Sequence, residues 1–211
     1  MAITPLMINL REKKVVIVGG GNVAERRMQT LLESGALITV VSPKVRKEIH
    51  SYWKKGRINW IKKHVTAGDL DEAFLIIIAT NDPVINRTII LAAPSNSLIN
   101  VASNADLGNV EFPSTFRRGK LAISISTNGA SPQLASKIKK QLQTVYNDNY
   151  EGYVDFLYKS RQLIKHSHLD RKQQNRLLKE LISETYLDNY EQEKVMKQLE
   201  ILSEKGDMPW V

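Results

Sequence analysis

The run Val15-Val16-Ile17-Val18-Gly19-Gly20-Gly21-Asn22-Val23-Ala24 constrains the fold of this chain more than any other segment. Four strand-favouring residues lead into three glycines. Ala24, Met28, Leu31 and Leu32 then recur at the spacing of one helix face. A strand that passes through a glycine turn into a helix opens a βα unit of a parallel sheet. Gly19 permits the tight turn, Gly21 lets a ligand approach the backbone, and the small Ala24 lets the helix pack closely on the sheet.

The pattern then repeats. Gly35 stands where a left-handed cap would end the first helix, and Leu37 to Val41 reads as a second strand. Val45, Ile49, Tyr52 and Trp53 share a face of a helix that stops at Gly56, and Ile58 to Ile61 is a third strand. Leu75-Ile76-Ile77-Ile78-Ala79 is an uninterrupted apolar strand, which requires a sheet covered on both faces. Asp82-Pro83 starts a helix lined by Ile85, Ile89 and Ala92, and Leu98 to Val101 follows as a strand. The expectation is an α/β fold with a Rossmann-type doubly wound parallel sheet.

Beyond this point the pattern changes. Leu121, Ile123 and Ile125 alternate with Ala122, Ser124 and Ser126 as in a half-buried strand, and Gly119 marks the turn before it. Ser131-Pro132 starts a helix carrying Leu134, Ile138, Leu142 and Val145. From about residue 150 onward the chain reads as helical, with a polar break near His166 to Asp170.

Composition removes several function classes. With 211 residues and 42% apolar content, the chain can hold one good core or two small ones. No stretch approaches the roughly 20 apolar residues of a membrane span, and MAITPLMINLREKK lacks the order of a secretory signal, so a cytoplasmic protein is expected. The absence of cysteine suits a reducing compartment and excludes thiolate metal ligation and cysteine nucleophiles. A net charge of +8 favours an anionic partner. The basic residues are dispersed and accompany no nucleic-acid motif, so neither nucleic acid nor membrane is the expected partner. His166 and His168 lack further ligands at a metal spacing, and no metal site is expected.

Gly19 to Ala24 fits GxGxxA in its proper strand–helix context, where free N–H groups of a helix starting near Asn22 would meet a pyrophosphate. The acidic residue that usually holds the ribose about 20 residues later is missing, and the place reads Val41-Ser42-Pro43-Lys44. Lys44 with Arg46 suits a 2′-phosphate, so these residues leave NAD and NADP both open. Thr80, Asn81 and Asp82 stand at the ligand-binding edge of the fourth sheet strand. The candidate cofactor residues are therefore Gly19, Gly20, Gly21, Asn22, Val23, Ala24, Ser42, Pro43, Lys44, Thr80, Asn81 and Asp82.

With GGGNVAERR, ATNDPVINR, NVASNADLGNVEFPS and RGKLAISISTNGASPQLASKIKKQL on the page, the chain resembles precorrin-2 dehydrogenases, including the amino-terminal part of multifunctional siroheme synthases. The resemblance implies a Rossmann domain over 1–112, a small α+β dimerisation segment over 113–148 in which two chains interlock, and a helical domain over 149–211. It implies oxidation of precorrin-2 to sirohydrochlorin in siroheme biosynthesis, with NAD as the cofactor and a homodimer as the assembly.

The same resemblance points to Asn104, Ser114, Arg117, Arg118, Lys120, Ser126 and Thr127 as substrate-binding residues. The three cations would meet the acetate and propionate arms of the tetrapyrrole. Several relatives carry an aspartate three residues after the equivalent of Asn100, and this chain has Ser103 there; the nearest carboxylate is Asp106. Ser103 and Asp106 are the catalytic candidates. Two alternatives stay open: a bifunctional dehydrogenase and sirohydrochlorin ferrochelatase, and a nucleotide-sensing module without catalysis.

Overall fold

In the computed structural model, which describes residues 3–205, the chain forms two compact units, divided between Phe112 and Pro113. Positions 206–211 of the expected helical region lie outside the described residues.

The first unit is built on strands β1 (Lys14–Val18), β2 (Leu37–Val41), β3 (Asn59–Ile61), β4 (Leu75–Ile78) and β5 (Leu98–Val101). All pair in parallel, in the order β3-β2-β1-β4-β5. Helices α1 (Asn22–Leu31), α2 (Lys47–Lys54) and α3 (Pro83–Ala92) make the crossovers, with a 3-10 turn at Ala67–Leu70 before β4. The second helix starts at Lys47, two residues after Val45, because Arg46 has extended backbone and acts as its N-cap.

The sheet's side-chain alternation explains why its strands are apolar throughout. Val15 and Ile17 of β1 and Leu75 and Ile77 of β4 pack with Ala24, Met28 and Ile49 from α1 and α2. Val16, Val18, Ile76 and Ile78 point the other way, toward Leu70 and Ile89. Each face of a strand with period two thus finds its own helical cover. Gly35 (φ +73°) and Gly56 (φ +67°) both adopt the left-handed conformation expected where helices give way to the next strand.

The second unit begins with an antiparallel hairpin, β6 (Ser114–Arg118) and β7 (Leu121–Ile125), turning at Gly119 (φ +54°). Helix α4 (Pro132–Val145) packs on this hairpin and starts with Ser131 Oγ accepting from the Leu134 N–H at 3.1 Å. Its apolar residues are largely unburied: Leu134 and Val145 are 48% and 61% exposed. Helices α5 (Asn149–His166), α6 (Arg171–Glu180) and α7 (Asn189–Lys205) enclose a separate core that includes Tyr153, Phe156, Ile164 and Leu199. No described helix is long and apolar enough to cross a membrane.

Candidate functional site

Strand order reverses between β1 and β4, because the chain fills the β2–β3 side first and then returns to β4 and β5. A crevice opens at the carboxyl ends of strands at such a switch point. Here it is a cleft of about 790 Å³, within the usual range for small-molecule sites. Its floor is Val18 to Val23, one wall is the turn after β2 together with His64 to Ala67, and the other is Ala79 to Asn81 with Val84, Ile85, Thr88, Ile89 and Ala92 of α3.

The three glycines do different work. A Cβ on Gly19 would sit 2.4 Å from the Ala79 carbonyl oxygen, at a φ of +118° that side chains avoid. A Cβ on Gly20 would sit 2.0 Å from the Lys44 carbonyl oxygen. Both are demanded by the protein's own packing. A Cβ on Gly21 would meet nothing within 4 Å, and Gly21 faces the cleft with an ordinary φ of −87°. The first helical bond of α1 runs from the Glu25 N–H to the Gly21 carbonyl, and no side chain caps this end. The earlier N–H groups and the positive end of the helix dipole therefore suit an anion, and open space above Gly21 lets it come close. This arrangement fits the pyrophosphate of a dinucleotide.

The turn after β2 is firmly held. Ser42 Oγ donates to the Lys44 carbonyl at 2.7 Å, and the Trp60 indole donates to the Ser42 carbonyl at 2.9 Å. Ser42 and Pro43 line the cleft. Lys44 does not; it contributes its carbonyl to the turn, and its side chain is exposed. Ala24 also lies outside the lining, fully buried against the sheet, and Asp82 uses its Oδ1 to cap α3 at the Val84 and Ile85 N–H groups. Thr80 and Asn81 line the cleft beside Asp82.

Sequence reasoning missed two supports. Buried Asn86 on α3 exchanges hydrogen bonds with Thr80. On the facing wall, Asp69 Oδ2 accepts from the Thr66 N–H at 2.7 Å and its hydroxyl at 2.8 Å, and Lys63 lies 2.9 Å from Oδ1. Burial pushes the Asp69 carboxyl up, but Lys63 and Thr66 outweigh it and hold the group below its ordinary value. The Thr66-x-x-Asp69 spacing is a capping-box signal that the sequence carries.

The loop after β5 is folded back on its strand. Asn109 Oδ1 accepts from the Ile99 N–H at 2.6 Å, and a Cβ on Gly108 would sit 2.4 Å from the Ile99 carbonyl. The loop carries Ser103 and Asp106, both exposed, and Asn104 Oδ1 accepts from the Asp106 N–H at 3.0 Å.

In the second unit, Ser114, Arg117 and Arg118 are on β6, and Lys120 is in the turn. Arg118 Nε lies 3.1 Å from Asp148 Oδ1, and Lys120 pairs with Asp155. Arg117 is exposed and, among the described residues, makes no ion pair. Thr127 Oγ1 accepts from the Ser131 N–H and Ser126 Oγ from the Asn128 N–H, each at 3.0 Å, so both hydroxyls shape the turn before α4.

The family model described as putative NAD(P)-binding matches residues 6–114, the sirohaem biosynthesis protein central model matches 118–144, and the SirC C-terminal domain matches 150–195. A precorrin-2 dehydrogenase of Priestia megaterium is 39% identical over 175 residues, covering 83% of this chain and 87% of that protein. The chain belongs to the precorrin-2 dehydrogenase family. The precorrin-2 dehydrogenase of Bacillus subtilis is 40% identical over 157 residues, covering 74% of this chain and 97% of that protein. A siroheme synthase of Yersinia pestis is 35% identical over 142 residues, which cover 67% of this chain and 30% of that longer protein. The solved structure of SirC, a precorrin-2 dehydrogenase, matches at a TM-score of 0.83 and 37% identity over 94% of this chain and 99% of that one. The chain shares its fold with SirC, and the family model matched by its first unit is one for NAD(P) binding.

Proposed function

We propose that this chain oxidises precorrin-2 to sirohydrochlorin with NAD. The observation that carries the reading is the open approach to Gly21 at the uncapped start of α1, inside the switch-point cleft of a precorrin-2 dehydrogenase fold. When bound, NAD would supply the two-electron acceptor for a hydride of the reduced tetrapyrrole, whose proton would pass to solvent or a nearby base.

The chain's own contribution is binding and orientation. Backbone N–H groups of Gly20 to Val23 hold the pyrophosphate, the Ser42–Pro43 turn holds the ribose, and Thr80 with Asn81 borders the path along β4. Arg117 anchors a carboxylate arm of the substrate, and Arg118 and Lys120 complete a basic hairpin. Asp106 and Ser103 stand on a loop at the same sheet edge as the cofactor, as proton acceptor and polar contact. Most of the rate enhancement then comes from positioning the two reactants.

The exposed Leu134 and Val145 on α4, with half-buried Ile138 between them, support a homodimer closed through the hairpin and helix of residues 113–148, with residues 1–112 and 149–211 as the flanking domains. The cysteine-free composition supports a cytoplasmic enzyme. The reading is tested by anaerobic incubation of the protein with enzymatically made precorrin-2 and NAD or NADP. Matched formation of NADH and sirohydrochlorin absorbance is expected. Tight NAD binding without turnover would instead leave a nucleotide sensor.

A further inference from the structure

The end of β2 lacks the carboxylate that commonly selects NAD by binding the ribose hydroxyls, and it is followed by two cations, Lys44 and Arg46. A doubly basic turn at that position suits a 2′-phosphate. The first turn of α1 alters this balance. Arg46 Nε donates to Glu25 Oε2 at 2.8 Å, and the Glu25 side chain is only 17% exposed. The Arg46 N–H also donates to the Gly20 carbonyl at 3.0 Å, which fixes the backbone from which the guanidinium reaches Glu25. A guanidinium bonded to a carboxylate stays charged, but the pair is neutral overall and one of its donors is no longer open to an incoming phosphate.

We infer that Glu25 is the residue that makes this site favour NAD over NADP, by engaging Arg46 and cancelling its charge beside the Ser42–Pro43 turn. Glu25 is a positioning residue: it and Arg46 both lie outside the cleft lining, and it acts through Arg46, which follows the Ser42–Pro43 turn. The inference rests on the reading of the cleft as a dinucleotide site. Its physical content is a charge ladder. Lys44, Arg46 and Glu25 sum to one positive charge, Glu25→Gln raises this to two, and Arg46→Gln lowers it to zero.

The test is calorimetric titration of the full chain and its variants with NAD, NADP and adenosine 2′,5′-bisphosphate. The wild type is expected to bind NAD more tightly than NADP. Glu25→Gln should narrow that preference about tenfold and tighten the bisphosphate by a similar factor, the size of one charge-assisted contact. Arg46→Gln should widen the preference, and the double variant should lose the gain of Glu25→Gln. A merely structural role would weaken both dinucleotides together and leave their ratio unchanged, which overturns the inference. So does a double variant that keeps the gain. A wild type that binds neither dinucleotide removes the underlying reading itself, and is distinguishable because no ratio then exists.

Discussion

The Thr80 hydroxyl donates to Asn86 Oδ1 at 2.5 Å, and the Asn86 amide returns a 3.3 Å bond to the Thr80 carbonyl. This reciprocal pair ties the end of β4 to the second turn of α3, and so sets the cleft wall opposite the β2 turn. Asn86 is 5% exposed, so water does not readily replace the bonds it makes. Asn86→Leu should cost about 1–3 kcal/mol in urea unfolding, because Thr80 is left with unmet polar groups. NAD affinity should fall as well.

Gly20 and Gly21 should separate folding from binding. Gly20→Ala drives a methyl into the Lys44 carbonyl and is expected to lower the melting temperature. Gly21→Ala fits without a clash and should keep the melting temperature, yet it occupies the space a pyrophosphate needs. Titration with NAD should therefore show lost binding in a fully folded Gly21→Ala protein. Intact NAD affinity in that variant would place the dinucleotide elsewhere.

Asp69 gives the cleft wall a pH dependence of definite sign. Its folded carboxyl lies below the ordinary value of 3.8, so its contribution to stability is present above that pH and is lost as pH falls through the folded value. Asp69→Asn should unfold at lower denaturant concentration than wild type at pH 7. The gap should shrink as the pH is taken below about 4, where the unfolded-state carboxyl is itself protonating.

Among the three hairpin cations, Arg117 is the one without a carboxylate partner in the described residues, whereas Arg118 faces Asp148 and Lys120 faces Asp155. Arg117→Ala should raise the KM for precorrin-2 about tenfold with little change in kcat, the signature of lost uniform binding. Lys120→Ala should raise it less, because Asp155 already competes for that ammonium. Equal effects of the two would mean that the Lys120 pair opens for substrate.

Leu134 tests the proposed assembly. A charge placed on the exposed apolar row of α4 should be tolerated by the folded chain and rejected by an interface built on that row. Leu134→Asp is expected to shift the protein from dimer to monomer in sedimentation velocity. An unchanged dimer would put the interface on another face.

The Rossmann sheet was legible in the sequence because its signals are local. Apolar runs such as Leu75 to Ile78, the glycine turn at 19–21 and the Asp82-Pro83 helix start each act through neighbouring residues. Which residues line the cleft was only partly legible, since Ala24, Lys44 and Asp82 belong to the right segments but spend their contacts on packing, turn formation and capping.

The amino-acid order alone determined the βα succession, the glycine turn into an uncapped helix start and the family, because short-range geometry and motif spacing carry that information. Tertiary structure decided what no spacing reveals: that Asn86 supports Thr80, and that Glu25 engages Arg46 from 21 residues away. A charge or hydrogen bond acts over a few ångströms of space, and only the folded chain brings these partners within that reach.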